Sequence, residues 1–164
     1  MSVLSILVWP DPRLSQVCAP VGKVTEAVRK LAADMLDTMY AAEGRGLAGP
    51  QVGAMQRIFV MDAGWTAGHP APQVFLDPVI VAASEGVESG VEGCLSIPGV
   101  SAEVERPVEI TLAWTDLEGV ERRERLTGFD ARCAQHEIDH LDGIVTFDRV
   151  SAIERAALLA AYLP

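Results

Sequence analysis

Residues 133–143 read CAQHEIDHLDG and contain two of the chain's three histidines, His136 and His140, four positions apart. The alanine, isoleucine and leucine beside them recur at a spacing that predicts a helix with a buried face. Residues four apart lie on one face of a helix, so both imidazoles can reach one metal ion. Glu137 follows the first histidine and can meet a water held by that metal. The stretch therefore predicts a metal-binding helix that carries its own general base.

An ordinary helix with exposed polar residues is the competing interpretation of this stretch. It does not explain the apolar flanks, which would bury the helix, and burying histidines and a glutamate without partners is costly. A catalytic metal also needs a third protein ligand and an open position. Candidates for that ligand are His69, Glu154 and Cys94, although a free cysteine is more often simply buried. The residues alone do not choose among the three.

Length and composition narrow the class of protein. The chain has 164 residues, which suits a single domain over residues 1–164, and it is 49% hydrophobic and 22% charged, as folded proteins are. Its formal net charge of −10 excludes sequence-independent nucleic-acid binding, so no DNA partner is expected. The three cysteines, Cys18, Cys94 and Cys133, form no disulfide framework and favour a reducing compartment, the cytoplasm.

The start of the chain predicts neither a signal peptide nor a membrane span. Residues 3–9 are mostly apolar, but no basic leader precedes them and Pro10 follows directly. This pattern is typical of a strand or an edge segment. No apolar run approaches the length of a membrane-crossing helix, so no membrane partner is expected.

The remaining periodicities predict an α+β fold. Residues 25–44 form an amphipathic helix that Thr25 caps and Gly44 ends. Residues 57–64 and 74–84 are apolar and β-branched, as in strands. We therefore expect mostly antiparallel β-sheets packed around a central HExxH helix.

Three further elements complete this prediction. Residues 108–126 indicate a hairpin that turns at residues 116–119. The metal-binding helix occupies residues 129–142. A short C-terminal helix begins at Ser151, where residues 151–154 form a capping box.

Three motifs in this order resemble those of bacterial peptide deformylases: 44-GRGLAGPQ-51, 92-EGCLS-96 and 135-QHEIDHLDG-143. Their spacing, the N-terminal helix and the strand-rich middle match as well, so the resemblance covers nearly the whole chain. It implies a metal-dependent hydrolase that removes the formyl group from the N-terminal formylmethionine of nascent peptides and releases formate.

The resemblance also implies the metal site. Cys94, His136 and His140 would be the ligands of one iron(II) ion per chain, with zinc or nickel able to occupy the site in preparations. Cys133 would then form pocket wall, and Asp139 would support a ligand histidine or the helix end, or lie on the surface as a plain acid.

By the same resemblance, Glu137 transfers protons, and the Gln51 side-chain amide and the Leu95 backbone N–H donate to the oxyanion. The N-formyl peptide would lie beside the glycine-rich first motif as an added strand. The implied substrate-contacting residues are Arg45, Gly46, Glu92, Gly93, Phe129, Arg132 and Cys133.

The chain departs from the deformylase pattern at the pocket for the substrate's first side chain. Arg45 and Arg132 stand where the family carries apolar residues. Both arginines could extend outward into water, or they could turn the first-residue preference toward polar or acidic side chains. Where many deformylases have an arginine that meets the substrate backbone, this chain has Ser101, and Arg106 is a candidate substitute.

These departures keep alternatives to ordinary deformylation open. They are a paralogue with altered first-residue specificity, a non-catalytic homologue that binds metal and peptide, and a zinc endopeptidase that shares only HExxH. Residues 151–164 are mostly apolar, which predicts packing on the core or a dimer contact rather than docking on the ribosome.

Overall fold

The computed structural model describes residues 2–162. In this range one helix is followed by seven strands and then by two more helices, and short 3₁₀ turns connect several of them. In chain order they are α1 (Glu26–Ala41), β1 (Gly46–Ala48), β2 (Ile58–Met61), β3 (Gln73–Ala83), β4 (Val87–Cys94), β5 (Ile97–Pro107), β6 (Glu109–Thr115), β7 (Glu121–Thr127), α2 (Gly128–Leu141) and α3 (Ala152–Tyr162).

The described strands form two antiparallel sheets. One sheet has five strands in the order β1-β2-β3-β6-β7, and the other is the β4–β5 hairpin. β1 and β7 are therefore the edges of the larger sheet. The β6–β7 hairpin turns at residues 116–120, which include the predicted turn at residues 116–119. The α+β prediction is confirmed.

Helix α2 lies at the centre of the molecule, where its polar residues from Gln135 to His140 are buried together with its apolar ones. Every residue from Cys133 to Leu141 is buried. The helix packs against β1, β2 and β7, and its apolar residues join a core that contains Phe59 and Phe75 stacked 4.4 Å apart. The helix is therefore held in place by core packing on several sides.

Helix α1 begins as predicted but ends differently. The Thr25 hydroxyl accepts a hydrogen bond from the Val28 N–H, which caps the first turn. The helix ends at Ala41, and the left-handed residue that follows is Glu43, with φ 57°, not Gly44. Gly44 has a different structural role from ending the helix: a Cβ at this position would lie only 2.7 Å from the Leu95 side chain.

The N-terminal apolar segment is extended but belongs to neither sheet. The Leu7 N–H donates to the Gln51 carbonyl at 2.7 Å, and the Trp9 N–H donates to the Ser96 carbonyl at 2.8 Å. These two bonds do not form a ladder, so the strand alternative is wrong and the edge-segment alternative describes it better. The segment ties together the two loops that carry the first and second motifs.

Helix α3 packs on the core, as its apolar sequence predicts. The Ser151 hydroxyl accepts a hydrogen bond from the Glu154 N–H at 3.2 Å and caps the helix. Leu158, Leu159 and Tyr162 pack against a small core that includes Phe147. The Tyr162 hydroxyl also donates to the Trp9 carbonyl at 2.5 Å. The last residues of the predicted segment, 163 and 164, lie outside the described residues.

Candidate active site

The central helix and the β4–β5 hairpin bring together three residues that could hold a metal ion. His136 and His140 lie on one face of α2, with ring centroids 5.0 Å apart. Cys94 ends β4, and its Sγ lies 3.3 Å from His140 Nε2. The ligand atoms of all three residues lie within 4.8 Å of one another. Three protein ligands that leave a position open are the arrangement of catalytic zinc-type sites.

The chemistry of these groups suits a divalent metal. Burial raises the pKa of the Cys94 thiol, but the adjacent imidazoles of His140 and His136 hold it well below its ordinary value. Cys94 is therefore a thiolate, the form that binds metals. The other two candidates for the third ligand do not reach the histidines: Glu154 is exposed on α3, and His69 is exposed in the loop before β3.

Glu137 is buried beside this cluster with part of its carboxylate free. Its Oε2 atom is fully buried and has no hydrogen-bond partner among the described residues. Burial raises the pKa of the Glu137 carboxyl, and the neighbouring imidazoles of His136 and His140 offset part of that shift. A buried acceptor without a partner is costly, and in native proteins it marks a place for water or a ligand.

The protein holds the Gln51 side chain in one orientation. Its Oε1 accepts a hydrogen bond from the Ala48 N–H at 2.9 Å, and its Nε2 donates to the Ser96 hydroxyl at 3.0 Å. The same Nε2 lies 3.7 Å from Cys94 Sγ. The amide is therefore presented to the candidate metal centre with its N–H groups on that side. Leu95 follows Cys94 in the turn between β4 and β5.

Glu92 supports His136 from behind. Its Oε1 lies 2.9 Å from His136 Nδ1, which leaves Nε2 of that ring for a metal. Burial raises the pKa of Glu92, but hydrogen bonds from His136 and Arg106 outweigh that effect and bring it to about 2. Glu92 is thus ionised and fixes the proton of His136 on Nδ1. It was expected to contact substrate; it does line the cavity, but its oxygens are already occupied.

Arg106 joins Glu92 to Asp139 in a buried ion-pair network. Its guanidinium donates to both Glu92 oxygens, at 2.6 and 2.9 Å, and to Asp139 Oδ2 at 3.0 Å. Asp139 also accepts two hydrogen bonds from Arg149. Arg106 is buried and does not line the cavity, so the expectation that it replaces a substrate-binding arginine is wrong. Asp139 is no surface acid either, and it acts on His136 only through Arg106 and Glu92.

Replacing Arg106 by methionine is expected to destabilise the fold by about 3 kcal/mol, because two buried carboxylates lose a shared cation. In this variant Glu92 keeps its ion pair with Arg132, and Asp139 keeps its ion pair with Arg149. The loss of stability is therefore at the lower end of the range for buried ion pairs. Urea denaturation of the metal-free protein measures this. Arg122→Met is the control, since that exposed arginine pairs with Asp116 at the surface and is worth under about 1 kcal/mol. Equal losses in both variants would contradict the network.

Arg132 points inward, so the idea that both arginines extend into water is wrong for this residue. Its guanidinium donates to Glu92 Oε2 at 2.7 Å, to the Val104 carbonyl at 2.8 Å and to the Glu88 carbonyl at 2.7 Å. Gly90 makes room for it, since a Cβ there would lie 2.9 Å from the guanidinium carbon. Arg132 thereby links α2 to the β4–β5 hairpin.

Arg45 differs from Arg132 in its surroundings. It is exposed, and its guanidinium lies 4.2 Å from the centroid of the Phe129 ring, as in a cation–π contact. Phe129 is itself 42% exposed. The two side chains form part of the rim of a cavity.

This cavity, of about 330 Å³, opens beside the candidate metal centre. It is lined by Gln51, Cys94, Leu95, His136 and Glu137, and by all seven residues predicted to contact substrate: Arg45, Gly46, Glu92, Gly93, Phe129, Arg132 and Cys133.

Sequence reasoning missed part of the cavity wall. Val91 and Val100 also line the cavity and come from the β4–β5 hairpin, which was not recognised as a long hairpin. The alternation of buried Ala102, Val104 and Arg106 with exposed neighbours along β5 was the signal for it. Ser101 does not line this cavity; it lines a separate small crevice.

Gly46 places backbone directly against the buried carboxylate. A Cβ at this position would lie 2.6 Å from Glu137 Oε1 and 2.9 Å from Cys133 Sγ. Gly46→Ala is therefore expected to displace Glu137 and to lower kcat/KM for the hydrolysis that the sequence motifs predict by about 10²-fold. Gly86→Ala is the control, since its added Cβ meets only Val108 at an ordinary 3.8 Å. Full activity of the Gly46 variant would show that Glu137 is not confined as described.

A buried HExxH helix with a cysteine from a neighbouring hairpin defines the class: an α+β protein with a candidate metal site of one cysteine and two histidines. Residues 3–156 match the family model for polypeptide deformylase, and the chain belongs to that family.

Relatives and solved structures agree with this assignment. The peptide deformylase of Alkalilimnicola ehrlichii is 48% identical over 94% of this chain and 86% of the relative. That of Rhizobium meliloti is 42% identical over 99% of this chain and 93% of the relative. Peptide deformylase from Ehrlichia chaffeensis in complex with actinonin is 40% identical, with a TM-score of 0.92 over 98% of this chain and 95% of that one.

Within residues 2–162, no helix combines the length and the apolar character needed to cross a membrane.

Proposed function

We propose that the chain hydrolyses the formyl group from the N-terminal formylmethionine of nascent peptides, in the cavity beside Cys94, His136 and His140. The observation that carries this proposal is the buried Glu137 carboxylate, which lines that cavity and has one oxygen without a hydrogen-bond partner among the described residues. A peptide deformylase needs a base, a metal and a peptide-sized opening in one place. Here the wall of one cavity includes the candidate base, Glu137, and two of the three candidate metal ligands, Cys94 and His136.

Cys94, His136 and His140 would hold one divalent metal ion, and we propose iron(II), with zinc or nickel able to replace it. A thiolate with two imidazoles accepts all three metals, which supports the site but makes the choice of iron an expectation from the family. Such an ion, when bound, lowers the pKa of its water and polarises a carbonyl oxygen. The lowered pKa of Cys94 and the Glu92 contact to His136 Nδ1 favour this ligand set.

Glu137 would transfer the protons. It accepts a proton from the attacking water as the water oxygen bonds to the formyl carbon. It then donates that proton to the amine nitrogen as the carbon–nitrogen bond breaks, leaving formate and a free N-terminus. Burial raises the pKa of the Glu137 carboxyl above its ordinary value, which makes its ionised form a stronger base toward the proton of water.

Gln51 and Leu95 would stabilise the negative charge that develops on the formyl oxygen. The Gln51 amide is already oriented by Ala48 and Ser96, so no reorganisation is needed when the charge appears. The backbone N–H of Leu95 would be the second donor, from the turn directly after Cys94.

The peptide backbone would lie along β1. This strand is an edge of the five-stranded sheet and pairs with β2 on one side only, so its other side can accept an added strand. Gly46 has no side chain to obstruct it. Cys133 and Phe129, from successive turns of α2, would border the first side chain.

We also propose that the protein works in the cytoplasm without nucleic acid as a partner. The three free cysteines support a reducing compartment, and the net charge of −10 opposes non-specific binding to nucleic acid. We do not extend the proposal to ribosome docking, since Leu158, Leu159 and Tyr162 of α3 are used in packing.

Mass spectrometry of the products tests this proposal. The metal-loaded protein is incubated with a formyl-Met-Ala-Ser peptide that carries a longer C-terminal tail. We expect loss of the formyl group alone, with every internal peptide bond intact. Cleavage of an internal bond would instead identify an endopeptidase, and an unchanged peptide with metal fully bound would identify a non-catalytic binder.

A further inference from the structure

Two arginines, Arg45 and Arg132, line the cavity, and only Arg45 has a guanidinium available to bind a substrate. Resting on the proposed function, we propose that Arg45 determines first-residue specificity and favours formyl peptides whose first side chain ends in a carboxylate. Arg132 instead has a structural task. The contacts of Arg45 and Arg132 and the geometry of α2 support this proposal.

The α2 wall of the cavity runs from its rim to the candidate metal centre. Phe129, Arg132, Cys133, His136 and Glu137 are three or four positions apart and so share one face of the helix. One helical turn rises about 5.4 Å, roughly the reach of an extended methionine or glutamate side chain. A first side chain that starts near Glu137 therefore ends one turn away, beside Arg132 and Cys133.

Arg132 cannot offer a charge to that side chain. Its guanidinium is already used by the Glu92 carboxylate and by two backbone carbonyls, those of Val104 and Glu88. Only 15% of its side chain is exposed. Arg132 therefore contributes to the wall of the inner part of the cavity through its aliphatic carbons and a guanidinium that is already hydrogen-bonded.

Arg45 is the cation that remains available. Its backbone is next to the same place, since its carbonyl lies 3.7 Å from Cys133 Sγ. Within residues 2–162 its guanidinium has no carboxylate within 4.0 Å, and its contact is the exposed ring of Phe129. A carboxylate that enters the cavity can replace this weak contact with a charged hydrogen bond.

The acidic groups at the cavity differ in how strongly they oppose this effect. Glu92 is paired with Arg106 and Arg132, and Glu137 is buried at the reacting end. Glu43 is exposed at the rim and would repel an acidic side chain, as would the overall charge of −10. The comparison must therefore be made between variants on the same pair of peptides, so that these repulsions are common to both.

The experiment measures kcat/KM of the iron-loaded protein for formyl-Glu-Ala-Ser, formyl-Gln-Ala-Ser and formyl-Lys-Ala-Ser. Glutamine is the neutral equivalent of glutamate, so the Glu/Gln ratio isolates charge from size. We expect Arg45→Met to lower this ratio about three- to tenfold, and Arg45→Lys to retain most of it. We expect Arg45→Glu to shift the preference toward the lysine peptide.

Arg123→Met is the matched control, since it removes an exposed arginine on β7, which does not line the cavity. It should leave the ratio unchanged. An equal Glu/Gln ratio in the wild type and Arg45→Met would overturn the inference while leaving deformylation intact. No formate from any formyl peptide, formyl-Met included, would overturn the proposed function itself and this inference with it.

Discussion

Replacing Glu137 by glutamine is expected to lower kcat for formate release by about 10²- to 10⁴-fold, the range for loss of a positioned acid–base group. Glutamine has nearly the same shape but can neither accept the proton of water nor return it to the amine. The Cys94, His136 and His140 side chains are untouched, so metal content should stay the same. Rates and metal content are measured on the same preparation.

The stability of this variant gives an independent check. The wild-type carboxylate is buried with one oxygen unpartnered, which costs stability in the protein without ligands. We therefore expect the metal-free Glu137→Gln protein to melt at the same temperature or higher. Glu154→Gln is the matched control, because that exposed glutamate lies outside the metal cluster and should change neither property. A Glu137 variant that is fully active would remove the proposed base.

Replacing Cys94 by serine is expected to weaken metal binding by more than about 100-fold, the upper range for losing only a supporting partner of a ligand. Serine does not ionise near neutral pH and offers no soft donor, so two imidazoles would remain. Activity should fall with metal content. Competition with a chromogenic chelator measures the affinity directly.

Cys133→Ser is the control for this substitution, since its buried thiol lines the same cavity. Burial raises the pKa of the Cys133 thiol well above its ordinary value, so it is protonated and unsuited to bind metal. We expect full metal content in this variant. If Cys94→Ser kept its metal and Glu154→Gln lost it, the ligand set of a zinc endopeptidase would apply instead.

Much of the fold could be predicted because local patterns agree with the final packing. The spacing of apolar residues marks α1 and α2, and residues 116–119 mark the turn of the β6–β7 hairpin. The β4–β5 hairpin was harder to recognise, because glycine, proline and acidic residues dilute its alternating pattern. β5 also packs against α2 and α3, which lie far along the chain.

The candidate site, like the fold, could be predicted from local sequence patterns only in part. HExxH predicts two ligands and a base, because a helix fixes their spacing. The third ligand comes from a hairpin, and only the whole chain brings Cys94 rather than Glu154 to the histidines. Local sequence patterns also could not predict the partners of the arginines. Arg106 on β5 and Arg132 on α2 both form ion pairs with Glu92 on β4.

The most direct test of the account is formate release from formyl-Met-Ala-Ser by anaerobically purified protein, measured metal-free and after loading with iron(II) or zinc. We predict no release without metal, with activity restored as one ion binds per chain. Formate release at an equal rate from metal-free protein would contradict the central claim. So would its absence from protein with a full metal complement.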